Sequence, residues 1–288
     1  MPKWENRAQW SIRLCDMTTS NDEVDEVIVF YHLPKSAGTT LNRILRRNYK
    51  PGEMAESGPN TQEFVAKLKT WPPERLAAIR FLQGHYPWGL HEMLPQRARC
   101  FTILRDPVER VLSHFYHAQR QPDYFLYDLI RDNNGSLPEL LASGIPLMMN
   151  DGQVRLLSGV YADPPMGEVT EAMLATAIAN LRACAVVGIT EQFDLSLVLL
   201  QRAFGWRFIG YRPVNVGHNR PPTREISAET LEAVRHYNRM DALLYEEAQR
   251  LMAQQAADAG RTLGLRLMAL NIQKKIPERW VGRLPGVY

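Results

Sequence analysis

Two hydrophobic periods alternate along this chain. Short apolar runs rich in β-branched and aromatic residues stand at 26–33, 80–84, 100–104 and 185–189 and predict strands. Between them, apolar positions recur every three or four residues. Leu41, Ile44 and Leu45 mark a helix over 40–49, and Val108, Val111, Leu112 and Phe115 mark one that begins at Pro107. Comparable patterns predict helices at 61–70, 73–79, 170–183, 191–204 and 227–256, and a basic amphipathic segment at 261–275. The Pro-, Gly- and Asn-containing stretch 50–60 reads as a loop, and 121–170 reads as helical pieces broken by Gly and Pro, inserted over a cleft.

This alternation predicts an α/β fold of three layers, with a parallel sheet covered by helices on both faces. Residues 1–25 read as a loosely ordered lead-in, 26–260 as a single domain and 261–288 as a closing helix and tail.

The first strand carries the main chemical signal. It runs into His32-Leu33-Pro34-Lys35-Ser36-Ala37-Gly38-Thr39-Thr40, after which a helix starts. A strand, a short loop with Lys and Gly, and a helix N-terminus together form a phosphate cradle of the P-loop type. In nucleoside triphosphatases the Lys follows the last Gly and the next hydroxyl holds Mg²⁺. Here Lys35 precedes Gly38 by three residues, and no carboxylate ends a neighbouring apolar strand as a metal holder. That composition suits a ligand with one 5′-phosphate group better than a metal-bound triphosphate.

A second element follows the third strand. Arg105 ends it, Asp106-Pro107-x-Glu109 forms a capping box, and Ser113 falls off the core face of the helix. A guanidinium and a hydroxyl from one strand–helix unit make a second phosphate site, each charge-assisted bond contributing about 1.5–3 kcal/mol.

The pair of segments 32–40 and 105–113 resembles the two cofactor signatures of the sulfotransferases that use 3′-phosphoadenosine 5′-phosphosulfate (PAPS), and more closely the branch that includes heparan sulfate 2-O-sulfotransferases and many bacterial members. Weaker similarity extends through Gly84-His85, 150–159 and 187–194, so that it spans about 26–250. The resemblance implies that Lys35, Ser36, Ala37, Gly38, Thr39 and Thr40 hold the 5′-phosphosulfate, and that Arg105 and Ser113 hold the 3′-phosphate. It implies that Asn215–Arg220 is a segment closing over the nucleotide, with Arg220 a phosphate contact. It also implies a general base at His85, with His32 as the competing candidate, and a transition-state role for Lys35. Tyr86, Trp88 and Arg155 become candidates for the acceptor pocket, His91 reads as a surface histidine with lining of that pocket as the alternative, and His114, His117 and His236 read as structural or solvated.

Composition adds exclusions. A net charge of +3 is too mild to imply nucleic-acid binding, and no run approaches the length of a membrane span. Cys15, Cys100 and Cys184 lack metal-ligand spacing and read as free thiols, consistent with a cytoplasmic protein that needs no metal. The expected activity is sulfuryl transfer from PAPS to a small-molecule, glycan or carrier-bound hydroxyl. A P-loop small-molecule kinase and a non-catalytic nucleotide-binding module are the alternatives.

Overall fold

The computed structural model describes residues 26–58, 60–145, 147–161, 164–212 and 221–281. Its sheet consists of β1 (Glu26–Tyr31), β2 (Met54–Glu56), β3 (Phe81–Gly84), β4 (Arg97–Leu104) and β5 (Val186–Ile189). All pairings are parallel and the order is β2-β3-β1-β4-β5. Consecutive residues of β1 and β4 are buried, including Val29, Phe30 and Tyr31, so helices cover the sheet on both faces.

The helices are α1 (Gly38–Leu45), α2 (Thr61–Lys69), α3 (Pro73–Ala77), α4 (Pro107–Ala118), α5 (Tyr127–Asp132), α6 (Leu137–Ala142), α7 (Gly152–Ser158), α8 (Glu171–Arg182), α9 (Phe193–Phe204), α10 (Ala228–His236), α11 (Arg239–Ala259), α12 (Thr262–Gln273) and α13 (Glu278–Val281).

Three features depart from the sequence expectation. The segment read as a loop contains β2, a three-residue edge strand too short to show a period. It is secured from outside: Glu56 takes a 2.8 Å bond from Arg46 on one carboxylate oxygen and a 2.8 Å bond from Gln83 on the other. Strand β4 begins at Arg97 rather than at Cys100, because Arg97 and Arg99 face Glu26 of β1 at 3.9 and 3.6 Å. The helix expected over 227–256 is two helices. At the break, Asn238 donates to the carbonyls of Val234 and Met149 and accepts the N–H of Asp151, so its side chain competes with the helical ladder.

The region 121–170 is also divided. Helices α5 and α6 form a small core of their own with α4 and α10, built from Leu112, Phe115, Ile130, Leu140 and Val234. Helix α7 is buried along its whole length and belongs to the framework. A buried ion pair fixes it there: Arg110 meets Asp241 at 3.2 Å, both fully buried. The Asp241 carboxylate also accepts the N–H groups of Gln153 and Val154, and Asp151 accepts the N–H of Asp241. Cys100 and Cys184 are buried free thiols, and Cys15 lies outside the described residues.

The strand order decides where chemistry can sit. Strand β1 lies between β3 and β4, with Tyr31 registered against Gly84 on one side and Thr102 on the other. The chain crosses from one side of β1 to the other between β3 and β4, so the loops leaving these three parallel strands emerge together at the carboxyl end of the sheet, where the order reverses. Those loops carry Lys35, His85 and Arg105.

Candidate active site

Beyond β1 the backbone curls through two left-handed residues, Lys35 (φ 69°) and Ala37 (φ 57°). Such a conformation costs non-glycine residues about 1–3 kcal/mol and persists where the surroundings hold it. Here two contacts hold it. Arg105 donates from Nη1 to the Lys35 carbonyl at 3.0 Å, and the His32 ring lies against Gly38. A Cβ on Gly38 would sit 1.7 Å from His32 Nε2, so glycine is the residue that fits.

The cradle has polar groups to spare. The Ser36 hydroxyl is fully buried without a hydrogen-bond partner. No acceptor among the described residues takes the N–H groups of Ala37, Gly38 or Thr39. No acidic residue occupies the first turn of α1, so nothing there competes for its partial positive charge. Lys35 is half-buried, and its ammonium makes no ion pair or hydrogen bond among the described residues. Burial, then the cations Arg105 and Arg120, push its ammonium down to about 8. This donor set suits an anion, and the phosphosulfate end of PAPS fits it. Thr40 is buried and Thr39 is exposed.

Arg105 is held as a unit with its neighbours. Its backbone N–H donates to Gln153 Oε1 and its carbonyl accepts Gln153 Nε2, both at 3.0 Å. Its guanidinium lies 3.5 Å from Glu109 and 3.9 Å from Glu191. Ser113, farther along α4, presents a half-exposed hydroxyl without a partner among the described residues. The two residues predicted as a 3′-phosphate clamp thus stand on one strand–helix unit, with Arg105 turned to the cradle. Gln153 carried no sequence signal for this role, since it acts through backbone atoms brought together by the fold.

His85 follows β3 directly. Its Nδ1 lies 2.7 Å from the backbone carbonyl of His32. A carbonyl can only accept, so Nδ1 carries the proton and a neutral ring leaves Nε2 with a bare lone pair. The ring stacks on His32 with centroids 4.2 Å apart, although the residue as a whole is exposed. Enclosure on that side lowers its proton affinity, the bond to His32 opposes this, and the Lys35 charge lowers it further. His32 itself is held well below the usual imidazole range, by burial first and then by His85. It acts as a spacer between Gly38 and His85. His114, buried on α4 and bonded to the Tyr124 hydroxyl at 2.8 Å, is pushed down to about 3 by burial, with Arg110, Lys35, His117 and His85 adding to the effect. His236, on the last turn of α10, stacks edge-on against Tyr237.

The acceptor candidates divide. Trp88 is half-buried, stacks on Tyr31 at 4.5 Å, and adjoins His91, which meets the Tyr31 hydroxyl. Tyr86 is buried and donates to the Phe30 carbonyl at 3.3 Å, so it supports the wall without facing a ligand. Arg155 is corrected outright. It is fully buried, and its nitrogens donate to Asn150 and to the carbonyls of Tyr161, Pro164 and Pro165. No acceptor can reach it. Arg220 and the Asn215–Arg220 loop lie outside the described residues. Among the described residues, no group of three His, Cys, Asp or Glu side chains could hold a metal ion.

Comparison with known proteins places this geometry. The model of the sulfotransferase family matches residues 20–135, which contain the cradle, His85 and the Arg105 helix. Heparan-sulfate 6-O-sulfotransferase 1 of Homo sapiens is 27% identical over 88% of this chain and 72% of its own length. Heparan-sulfate 6-O-sulfotransferase 3-B of Danio rerio is 28% identical over 81% of this chain and 65% of its own. These relatives are named for the 6-O position, whereas the sequence motifs had suggested the 2-O branch. Mouse sulfotransferase SULT7A1 complexed with PAP overlaps 84% of this chain and 89% of its own at 16% identity, with a TM-score of 0.27. At that overlap the fold is read from the strand order alone. The matched region coincides with the anion-seeking cradle and the histidine beside it, and over most of its length the chain is similar to PAPS-dependent sulfotransferases, enzymes that move the sulfuryl group of that nucleotide to an acceptor hydroxyl.

Proposed function

We propose that this enzyme sulfates a hydroxyl of a glycan, with His85 as general base and Lys35 as the cation that stabilises the transition state. The observation that carries the reading is the 2.7 Å bond from His85 Nδ1 to the His32 carbonyl, which leaves Nε2 as an acceptor beside an uncompensated Lys35. PAPS supplies an activated sulfuryl group whose departure leaves the 3′,5′-bisphosphate PAP.

The residues divide the work. The cradle N–H groups, Ser36, Thr39, Thr40 and Lys35 hold the phosphosulfate end, and Arg105 with Ser113 holds the 3′-phosphate. Lys35 offsets negative charge as it grows on the departing phosphate oxygen. His85 Nε2 takes the proton of the attacking hydroxyl, a role that contributes about 10²–10⁴-fold. The carbonyl of His32 keeps the ring oriented while this happens.

The glycan assignment draws on the relatives named for heparan sulfate and on the half-exposed face of Trp88, an apolar platform suited to a sugar ring. It is tested by offering labelled PAPS with oligosaccharide, lipid-hydroxyl and carrier-bound hydroxyacyl acceptors. Label should enter the oligosaccharides in the wild type. In His85→Ala it should fall by about 10²–10⁴-fold while PAP still binds. Transfer confined to the other acceptors would refute the glycan, and full activity in His85→Ala would remove that residue from the mechanism.

A further inference from the structure

We propose that α12 and α13 form a surface that docks on an anionic lipid membrane, lying in its plane. None of its residues is assigned to the candidate active site, and the inference does not depend on the acceptor.

Helix α12 is anchored by one face and bare on another. Leu270 is buried, and Leu263 and Leu267 pack against the main core. Leu265, Met268 and Ile272 remain 69%, 65% and 66% exposed. Their spacing of three and four residues puts them in one stripe along the helix. Trp280 on α13 is also half-exposed. Half of the large exposed apolar side chains among the described residues lie in this short segment, so they form a patch rather than a scatter.

Charge selects the occupant. Residues 261–281 contain Arg261, Arg266, Lys274, Lys275 and Arg279 against the single carboxylate Glu278. Lys274 is occupied by Asp194 at 2.5 Å, and none of the other four cations has an ion pair among the described residues. A second copy of the chain would bring two such basic stripes face to face. A lipid interface instead offers anionic headgroups for the cations and acyl chains for Leu265, Met268 and Ile272, with the headgroup level suited to Trp280. With 12 residues, α12 is too short to cross a bilayer, and no described helix is long and apolar enough to do so.

The surface is joined rigidly to the catalytic domain. Helix α12 packs on α9, and Gln273 accepts the N–H groups of Ile209 and Gly210 at 2.9 and 3.0 Å. Docking would therefore hold the whole domain at one attitude to the membrane.

The test is co-sedimentation of the full chain with vesicles of phosphatidylcholine alone or mixed with phosphatidylglycerol. Binding is expected only to the mixed vesicles and should weaken with added salt. The triple variant Arg261→Gln, Lys275→Gln, Arg279→Gln should lower the partition by about a hundredfold. The triple variant Leu265→Gln, Met268→Gln, Ile272→Gln should also bind poorly while keeping wild-type transfer to a soluble acceptor and the wild-type melting temperature. Failure of the wild type to bind mixed vesicles, or binding as strong as the wild type's by either variant, would overturn the proposal. So would a wild-type dimer, by light scattering, that the apolar variant converts to monomer, since the stripe would then belong to a second copy.

Discussion

His85 donates its Nδ1–H to the backbone carbonyl of His32 at 2.7 Å. Since the acceptor is backbone, the contact needs no particular side chain at 32, yet the His32 ring fills the space between His85 and Gly38. One residue thus sets the tautomer of the proposed base and the shape of the cradle.

The pH profile should show both groups. His85 titrates below the ordinary 6.5, and the Lys35 ammonium loses its proton at about 8 in the free enzyme. The value of kcat/KM for PAPS should therefore rise with pH through a limb below 6.5 and fall through one near 8. Lys35→Arg should move the alkaline limb out of range, because guanidinium stays charged. An unchanged limb in that variant would show that another group titrates there. His85→Asn, which can still donate to the His32 carbonyl, should lose turnover as fully as His85→Ala.

Gly38→Ala would drive a Cβ to 1.7 Å from His32 Nε2. Affinity for PAP, measured by calorimetry, should fall by about tenfold or more, or about 1.4 kcal/mol. Adding His32→Ala removes the clashing ring and should restore part of that affinity, since the carbonyl that orients His85 remains. Additive losses in the double variant would contradict the steric account.

Arg105→Ala removes the proposed 3′-phosphate contact and the bond to the Lys35 carbonyl. PAP binding should weaken by about 1.5–3 kcal/mol, roughly 10- to 150-fold. Unchanged affinity would refute the assignment.

The fully buried Arg110–Asp241 pair holds α7 to α4 and α11. Arg110→Met should cost about 3–5 kcal/mol in urea unfolding, because Asp241 is left buried without its counter-charge. Adding Asp241→Asn removes the stranded charge while keeping an oxygen to accept the Val154 N–H, and should recover part of the loss.

Acid stability should depend on His114. Burial pushes its folded-state pKa down to about 3 from 6.5. Below 6.5 the unfolded chain therefore binds a proton that the folded chain refuses, and stability drains away as pH falls from 6.5 toward 3. His114→Gln should flatten the dependence by up to about 1.4 kcal/mol per pH unit. Equal slopes for the two proteins would exclude this ring as the source.

Legibility in the sequence followed the range of the interactions. The cradle could be read because its strand, Lys35, Gly38 and helix start lie within a few residues and obey local rules. The pairing of Arg105 with Ser113 was visible as a spacing, although the turn of Arg105 toward Lys35 was not. Strand β2 escaped notice because three residues show no period, and its bonds come from Arg46 and Gln83. Arg155 looked available because a lone arginine in a sequence does not reveal five acceptors gathered around it.

By itself, the sequence determined the α/β alternation, the phosphate-seeking loop and the resemblance to the sulfotransferases. Hydrophobic period, turn chemistry and helix capping are set by neighbours along the chain. Only the tertiary structure decided that β1 lies between β3 and β4, that His85 rests on His32, that Gln153 clamps Arg105, and that α12 turns Leu265, Met268 and Ile272 outward. Those relationships join residues distant in the chain, and the packing of the sheet and its helices is what brings them within reach.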